Sequence, residues 1–378
     1  MAAPRKTDHC SGLDTKLDLP LIQDAAMTIR PLVHRTPVLR CQAIETESLA
    51  AAHSVSVTHR ELFFKCELFQ KTGSFKVRGA LNAVAHLPPT VTDVVTHSSG
   101  NHAQALAWAA RAKGLNAHIV MPRTAPAVKV KAVKGYGGKV YLCEPTVEAR
   151  WAMAAELVGS TGGALVHPSD DYNVMAGQGT VALEFLEQVK EETGGEELDA
   201  LIIPIGGGGL LGGMAVAAKT MRPDIKIIGA EPAVVDDAAR SKATGVLCLH
   251  PTPPPRSIAD GLLTVLGKKT FPIVSSDKVD AILTVSEREI ARAMRLVYER
   301  MKLVIEPSAG VGVAVALSCK KLNAVLGMEC RRVGIVLCGG NVDISEMEEV
   351  WRLAAEEEEE EEREEDEING HKSSSSSS

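Results

Sequence analysis

The run KTGSFKVRGA, Lys71–Ala80, places one lysine, Lys76, between the aromatic Phe75 and the basic Arg78. A side-chain amine is a nucleophile and a proton carrier, but a lysine alone specifies nothing. Three later segments make it legible: SSGNHAQAL from Ser98, PIGGGGLLGG from Pro204 and LCGGNVD from Leu337. In the second, Gly206–Gly209 expose consecutive N–H groups ahead of a helix, a cradle for an anion. In the first, two hydroxyls and an amide open a helix, which suits a small carboxylate. A plain N-cap by Ser98 or Ser99 is the competing reading. Each segment follows or closes a run that reads as a buried strand, so all can face one cleft.

Two other chemistries are weaker. Gly207, Gly209 and Gly212 spell G-x-G-x-x-G, with Glu231 about twenty residues on, as in a nicotinamide-dinucleotide site. That reading leaves Lys76 and the Ser98–Asn101 turn unused, and the glycine run lacks the lysine–hydroxyl ending of a nucleoside-triphosphate loop. His97 and His102 have no third ligand at zinc spacing.

The elements that must position these groups alternate. Strands are expected at Leu62–Cys66, Val94–His97, Ala117–Met121, Lys139–Cys143, Ala200–Ile205, Lys226–Ala230, Val279–Val285 and Val333–Leu337, with helices and short links between them. This is the pattern of parallel sheets with helices outside. Ser286 and Glu289 are spaced for a capping box. The 378 residues are 45% apolar and 24% charged, a soluble enzyme-like composition. The net charge of -7 is concentrated: Glu356–Ser378 carries eleven acids against Arg363 and Lys372, leaving the rest of the chain near +2. That balance favours neither nucleic acid nor an anionic surface. The residues 351–378, acidic and then serine-rich, are expected to be disordered. Eight cysteines without a C-x-x-C pair point to free thiols in a reducing, cytoplasmic setting. The start, MAAPRKTDHC, has no apolar signal region, and Met1–Lys16 is expected to fray. No membrane span is evident, while organelle import stays open.

Jointly, FQKTGSFKVRGA, THSSGNHAQAL, HPSDDYNVMAGQGT, PIGGGGLLGG, ERMKLVIEPSAGVGVA and LCGGNVD resemble the serine racemase and serine/threonine dehydratase family of fold type II pyridoxal-phosphate enzymes, its eukaryotic racemases above all. The resemblance runs from about Leu19 to Trp351. It implies an α/β fold of the tryptophan synthase beta-like type. Residues 1–92 and 169–350 would form a large open-sheet domain, and residues 93–168 a smaller inserted, mobile one. It implies that Lys76 carries pyridoxal 5'-phosphate as a Schiff base, with Phe75 stacked near the ring. Asn101 would meet the ring hydroxyl, Gly206, Gly207, Gly208, Gly209 and Leu210 would hold the phosphate, and Cys338 would face the pyridine nitrogen. A neutral thiol there suits racemisation or elimination and discourages transamination. Ser98, Ser99, Gly100, Asn101 and His102 would bind substrate, with Ser99 the second proton carrier, across the ring from Lys76. Glu231, Val235 and Asp237 would bind Mg²⁺, Ca²⁺ or Mn²⁺. ATP activates the racemase branch, but no motif here establishes it.

The activity so implied is interconversion of L- and D-serine, with dehydration of serine and L-threonine, by a homodimer. The alternative is an L-serine/L-threonine or 3-hydroxyaspartate dehydratase without racemisation. Two departures bear on substrate range: Ala103 replaces the usual glycine, and Ser169 stands where many members have phenylalanine or asparagine.

Overall fold

A computed structural model describes residues 16–50, 60–251, 254–327 and 329–375. The segment expected to fray lies almost wholly outside them. Among the described residues ten strands form two sheets: β1 (Val38–Arg40), β2 (Glu61–Cys66), β3 (Asp93–His97), β4 (Asn116–Pro122), β5 (Lys139–Cys143), β6 (Ala164–Leu165), β7 (Ala200–Pro204), β8 (Lys226–Pro232), β9 (Ala281–Val285) and β10 (Arg332–Leu337). One sheet has the order β1-β2-β10-β7-β8-β9 and the other β5-β4-β3-β6. Every pairing of these strands is parallel except β1 with β2. Central strands of a parallel sheet are covered on both faces and read as continuous apolar runs. All five residues of β7 are buried accordingly.

This topology gathers the chemistry. Lys71–Lys76 follows β2, Ser98–Asn101 follows β3, Gly206–Gly209 follows β7 and Cys338–Asn341 follows β10. All leave the carboxyl ends of parallel strands, where ligands of open α/β sheets bind.

Helix Lys76–Ala85 is fixed from below by helix Tyr172–Glu192. The two touch through glycines. A Cβ on Gly177 would lie 2.5 Å from the Arg78 carbonyl oxygen, and one on Gly79 would lie 2.7 Å from that of Val174. Gly177→Ala therefore forces two backbones apart and is expected to cost about 1–3 kcal/mol, read by urea or thermal unfolding. A variant as stable as the parent would contradict the close approach.

Arg78 itself is fully buried. Its guanidinium grips Glu67 at 2.7 and 2.8 Å and Glu184 at 2.8 and 2.9 Å. Lys65 joins Glu184 at 2.9 Å. Burial works against the Arg78 charge, but Glu67 and Glu184 outweigh it and hold the guanidinium above its ordinary range. The residue beside the lysine motif is thus an internal tie between β2 and two helices.

The capping box forms: Ser286 and Glu289 satisfy each other's backbone N–H groups at the start of helix Glu287–Leu296. The acidic segment departs from expectation. A helix runs from Glu348 to Ser375 in place of a disordered tail. Repulsion among its carboxylates is offset where it meets the neighbouring helix. Arg288 pairs with Glu356 and Glu360, and Arg295 pairs with Glu358.

Candidate active site

Lys76 is the first residue of its helix, and its amine donates to the Pro168 carbonyl at 3.0 Å. The approach to it is bent by two consecutive left-handed residues, Thr72 (φ 63) and Gly73 (φ 73). The bend is stitched to the segment after β10. Phe75 N donates to Cys338 O at 3.1 Å and Gly340 N donates to Gly73 O at 3.0 Å. A Cβ on Gly73 would stand 2.4 Å from Asn341 Oδ1, so glycine is required there for space as well as for φ. The Phe75 ring centroid lies 5.1 Å from the Lys76 amine. Burial lowers the Lys76 pKa to about 8, against the opposing pull of Cys338 and Glu306.

Cys338 is buried, and burial, then the Glu306 charge, raise its thiol well above the usual range. It is a neutral thiol at physiological pH. Asn101 is held by two groups from other segments. Its amide donates to both Glu306 oxygens, at 2.8 and 3.0 Å, and its carbonyl oxygen accepts from Asn341 at 2.8 Å. Burial pushes the Glu306 carboxyl up to about 7. Nothing local in the sequence assigns Glu306 or Asn341 a role, although they stand in ERMKLVIEPSAGVGVA and LCGGNVD.

Gly206–Gly209 form a close-fitting turn. Gly208 has φ 79, and helix Gly209–Met221 starts with no side chain capping it. A Cβ on Gly207 would fall 2.3 Å from Ser169 Oγ, and one on Gly206 would fall 2.9 Å from Leu262 Cα. Leu210 is buried in the first helical turn. An uncapped helix start with glycines where side chains would intrude fits a phosphate. The lysine, neutral thiol, oriented amide and glycine cradle together fit pyridoxal phosphate.

At the substrate turn, the N-cap of helix Asn101–Ala112 is Gly100, and no side chain caps the helix. Ser99 is therefore not the N-cap, and Ser98 makes only a long contact, accepting from Gly100 N at 3.4 Å. His102 is buried with Nε2 3.3 Å from Val166 O, while Nδ1 has no partner. Burial first, and the Lys76 charge next, keep its ring neutral.

The expected cation ligands lie at the end of β8. Glu231 accepts from Ala238 N and Ala239 N, each at 2.9 Å. Asp237 Oδ2 accepts from Leu266 N at 3.2 Å, whereas Oδ1 has no hydrogen bond and sits 3.6 Å from His250 Nε2. Burial raises Glu231 to about 8 and Asp237 to about 6. Among the described residues no three His, Cys, Asp or Glu side chains form a metal cluster. A cavity of about 630 Å³ lies elsewhere, lined by Arg30, Arg35, Glu187 and Arg222, and contains none of these groups.

Comparison with known proteins agrees with this geometry. Residues 29–339 match the family described as pyridoxal-phosphate dependent enzymes. The chain is 46% identical to a serine racemase of Homo sapiens over 329 residues, 86% of this chain and 91% of that protein. It superposes on the structure of maize serine racemase with TM-score 0.81 and 41% identity, covering 92% of this chain and 99% of that one. The serine racemase of Dictyostelium discoideum gives TM-score 0.78 and 42% identity, with 87% and 99% covered. A solved threonine deaminase gives TM-score 0.78 and 38% identity, with 86% and 99% covered. The fold is that of type II pyridoxal-phosphate enzymes, and the chain belongs to the pyridoxal-phosphate dependent enzyme family.

Proposed function

We propose that the protein interconverts L- and D-serine and also dehydrates serine and L-threonine to the 2-oxoacid and ammonia. The observation that carries this is the partly buried Lys76, its amine bonded to Pro168 O and lowered to about 8, on a segment that leaves a strand end as the glycine turn and the Ser98–Asn101 turn do. Bound pyridoxal phosphate supplies an electron sink that makes the Cα proton of an amino acid removable. Lys76 would hold it, Gly206–Gly209 and Leu210 would bind its phosphate through backbone N–H groups, and Asn101 and Cys338 would meet its ring. Glu306 and Asn341 fix Asn101, so its amide is already oriented when the cofactor binds. Substrate carboxylate takes the Ser98–His102 turn. Lys76 moves the Cα proton on one face, and Ser99 holds one on the other. The β-hydroxyl then leaves with a proton as water, and the enamine released from the protein is hydrolysed by water to the 2-oxoacid and ammonia.

Residues 93–168 would close over the rest and exclude water. The seven described cysteines are all free, which supports a reducing, cytoplasmic setting. A homodimer belongs to the same reading. Chiral chromatography of serine beside pyruvate release tests the function. Pyruvate without D-serine, from cofactor- and Mg²⁺-replete protein, would leave the dehydratase alternative.

Glu231, Asp237 and the Val235 carbonyl are proposed to hold Mg²⁺. Two buried carboxylates, one with an oxygen lacking any hydrogen bond, suit a hard cation. The expected result is that Mg²⁺ raises the melting temperature, by the equivalent of about 2.7 kcal/mol at a hundredfold excess over Kd. Glu231→Ala and Asp237→Ala should lose that shift while keeping cofactor absorbance. Equal Mg²⁺ stabilisation of both variants and the parent would place the ion elsewhere.

A further inference from the structure

Lys129 lies on helix Ala127–Gly135, which follows β4, and belongs to the four-stranded sheet unit. Its amine pairs with the carboxylate of Asp260, 131 residues later, in the short turn Asp260–Leu262. Polar side-chain pairs such as Asp93–His118 and Arg123–Glu144 stay inside the sheet unit, whereas this one leaves it.

The turn that receives Lys129 is anchored on three sides. Glu287 accepts from Ser257 Oγ at 2.8 Å and from Ile258 N at 2.6 Å. Gly261 N donates to Ser308 Oγ at 3.1 Å, on the helix that begins beside Glu306. Leu262 backbone packs so tightly on Gly206 that a Cβ there would meet it at 2.9 Å. The turn thus abuts the first glycine of the phosphate cradle and the helix behind the Asn101 clamp. The charges of Asp260 and Lys129 both reach the Glu306 carboxyl.

Another part of the junction is built differently. Helices Lys76–Ala85 and Asn101–Ala112 share an apolar cluster that includes Val77, Leu81, Ala103 and Leu106. Packed apolar contacts resist separation, because parting them exposes apolar surface to water. A half-exposed ion pair, with Lys129 at 23% and Asp260 at 52% side-chain exposure, can part into water and re-form at small cost.

We propose that Lys129 and Asp260 are positioning residues, a latch that holds the 93–168 unit closed against the turn over Gly206 and keeps the Asn101–Glu306 contact made. This rests on the reading of the site as a serine-converting one. Neither residue is assigned contact with substrate or cofactor.

The test uses pyridoxal-phosphate-loaded parent, Lys129→Met, Asp260→Asn and the double variant. Hydrogen exchange is followed in helix Ala127–Gly135 and in residues 258–263, with and without L-serine, alongside KM and kcat for pyruvate release. Each single change is expected to speed exchange in both segments and raise KM about two- to fivefold, with cofactor content unchanged. The double variant should match either single one, because one interaction is lost in all three. Added salt at about 0.5 M should bring the parent toward the variants. Additive effects in the double variant, or exchange in the single variants equal to the parent at low salt, would overturn the latch. If the exchange pattern appears but serine is not turned over by the parent, the latch stands and the substrate assignment falls.

Discussion

Lys76→Ala is expected to leave serine racemisation and dehydration at background, a loss of at least about 10⁴-fold, since in the proposed mechanism it removes both a proton carrier and the cofactor's covalent anchor. With a pKa lowered to about 8, roughly one amine in ten is unprotonated at pH 7, against fewer than about one in a thousand at the ordinary lysine value. The substitution should not unfold the protein. The Lys76 amine gives one hydrogen bond, to Pro168 O, and the helix keeps its Arg78 tie and its glycine contacts. Thermal stability equal to or above the parent is the expected control. The protein-bound visible absorbance of the cofactor should disappear in the variant. Borohydride reduction of the parent and peptide mapping should place the adduct on Lys76. An adduct on another lysine, with activity retained in Lys76→Ala, would end the assignment.

The parts legible in the sequence are those written by local pattern. Apolar runs and glycine turns predict the strand ends, because a buried parallel strand must be apolar throughout and a turn at its carboxyl end must be compact. The Ser286–Glu289 spacing predicts its capping box for the same reason. What the pattern does not show is who meets whom across the chain. Asn101 and Glu306 are 205 residues apart, and nothing local in EPSAG marks its glutamate as the partner of an amide in SSGNH. Arg78 reads as a basic neighbour of the reactive lysine. Only packing reveals it as a buried tie to Glu67 and Glu184. The acidic tail is the reverse case. Composition alone predicts repulsion and disorder, while Arg288 and Arg295 on another helix supply the opposing charge. Ser98 and Ser99 were both eligible as caps, and the choice of Gly100 rests on backbone geometry that residue types do not encode.

That last detail gives Ser99→Ala its weight. Because the helix N-cap is Gly100, with no side-chain cap, loss of the Ser99 hydroxyl removes no cap and should change stability by less than about 0.5 kcal/mol. A purely structural role would therefore leave both activities intact. The expected result is different for each reaction. Racemisation needs a proton to leave one face of Cα and return on the other, so removing the second carrier should lower D-serine formation about 10²- to 10⁴-fold. Dehydration of L-serine needs only the Lys76 face and should stay within about tenfold of the parent. In the proposed mechanism dehydration of D-serine begins on the Ser99 face, and it should fall with racemisation. Ser98→Ala separates binding from proton transfer: it alters the same turn and should raise KM for both reactions without splitting them. The measurements are chiral chromatography and pyruvate release on parent and variants at matched cofactor content. An equal loss of all three reactions in Ser99→Ala would assign the hydroxyl to substrate binding. Unchanged D-serine formation would show that another group carries the second proton, and the buried, unpartnered Nδ1 of His102 would be the next group to test.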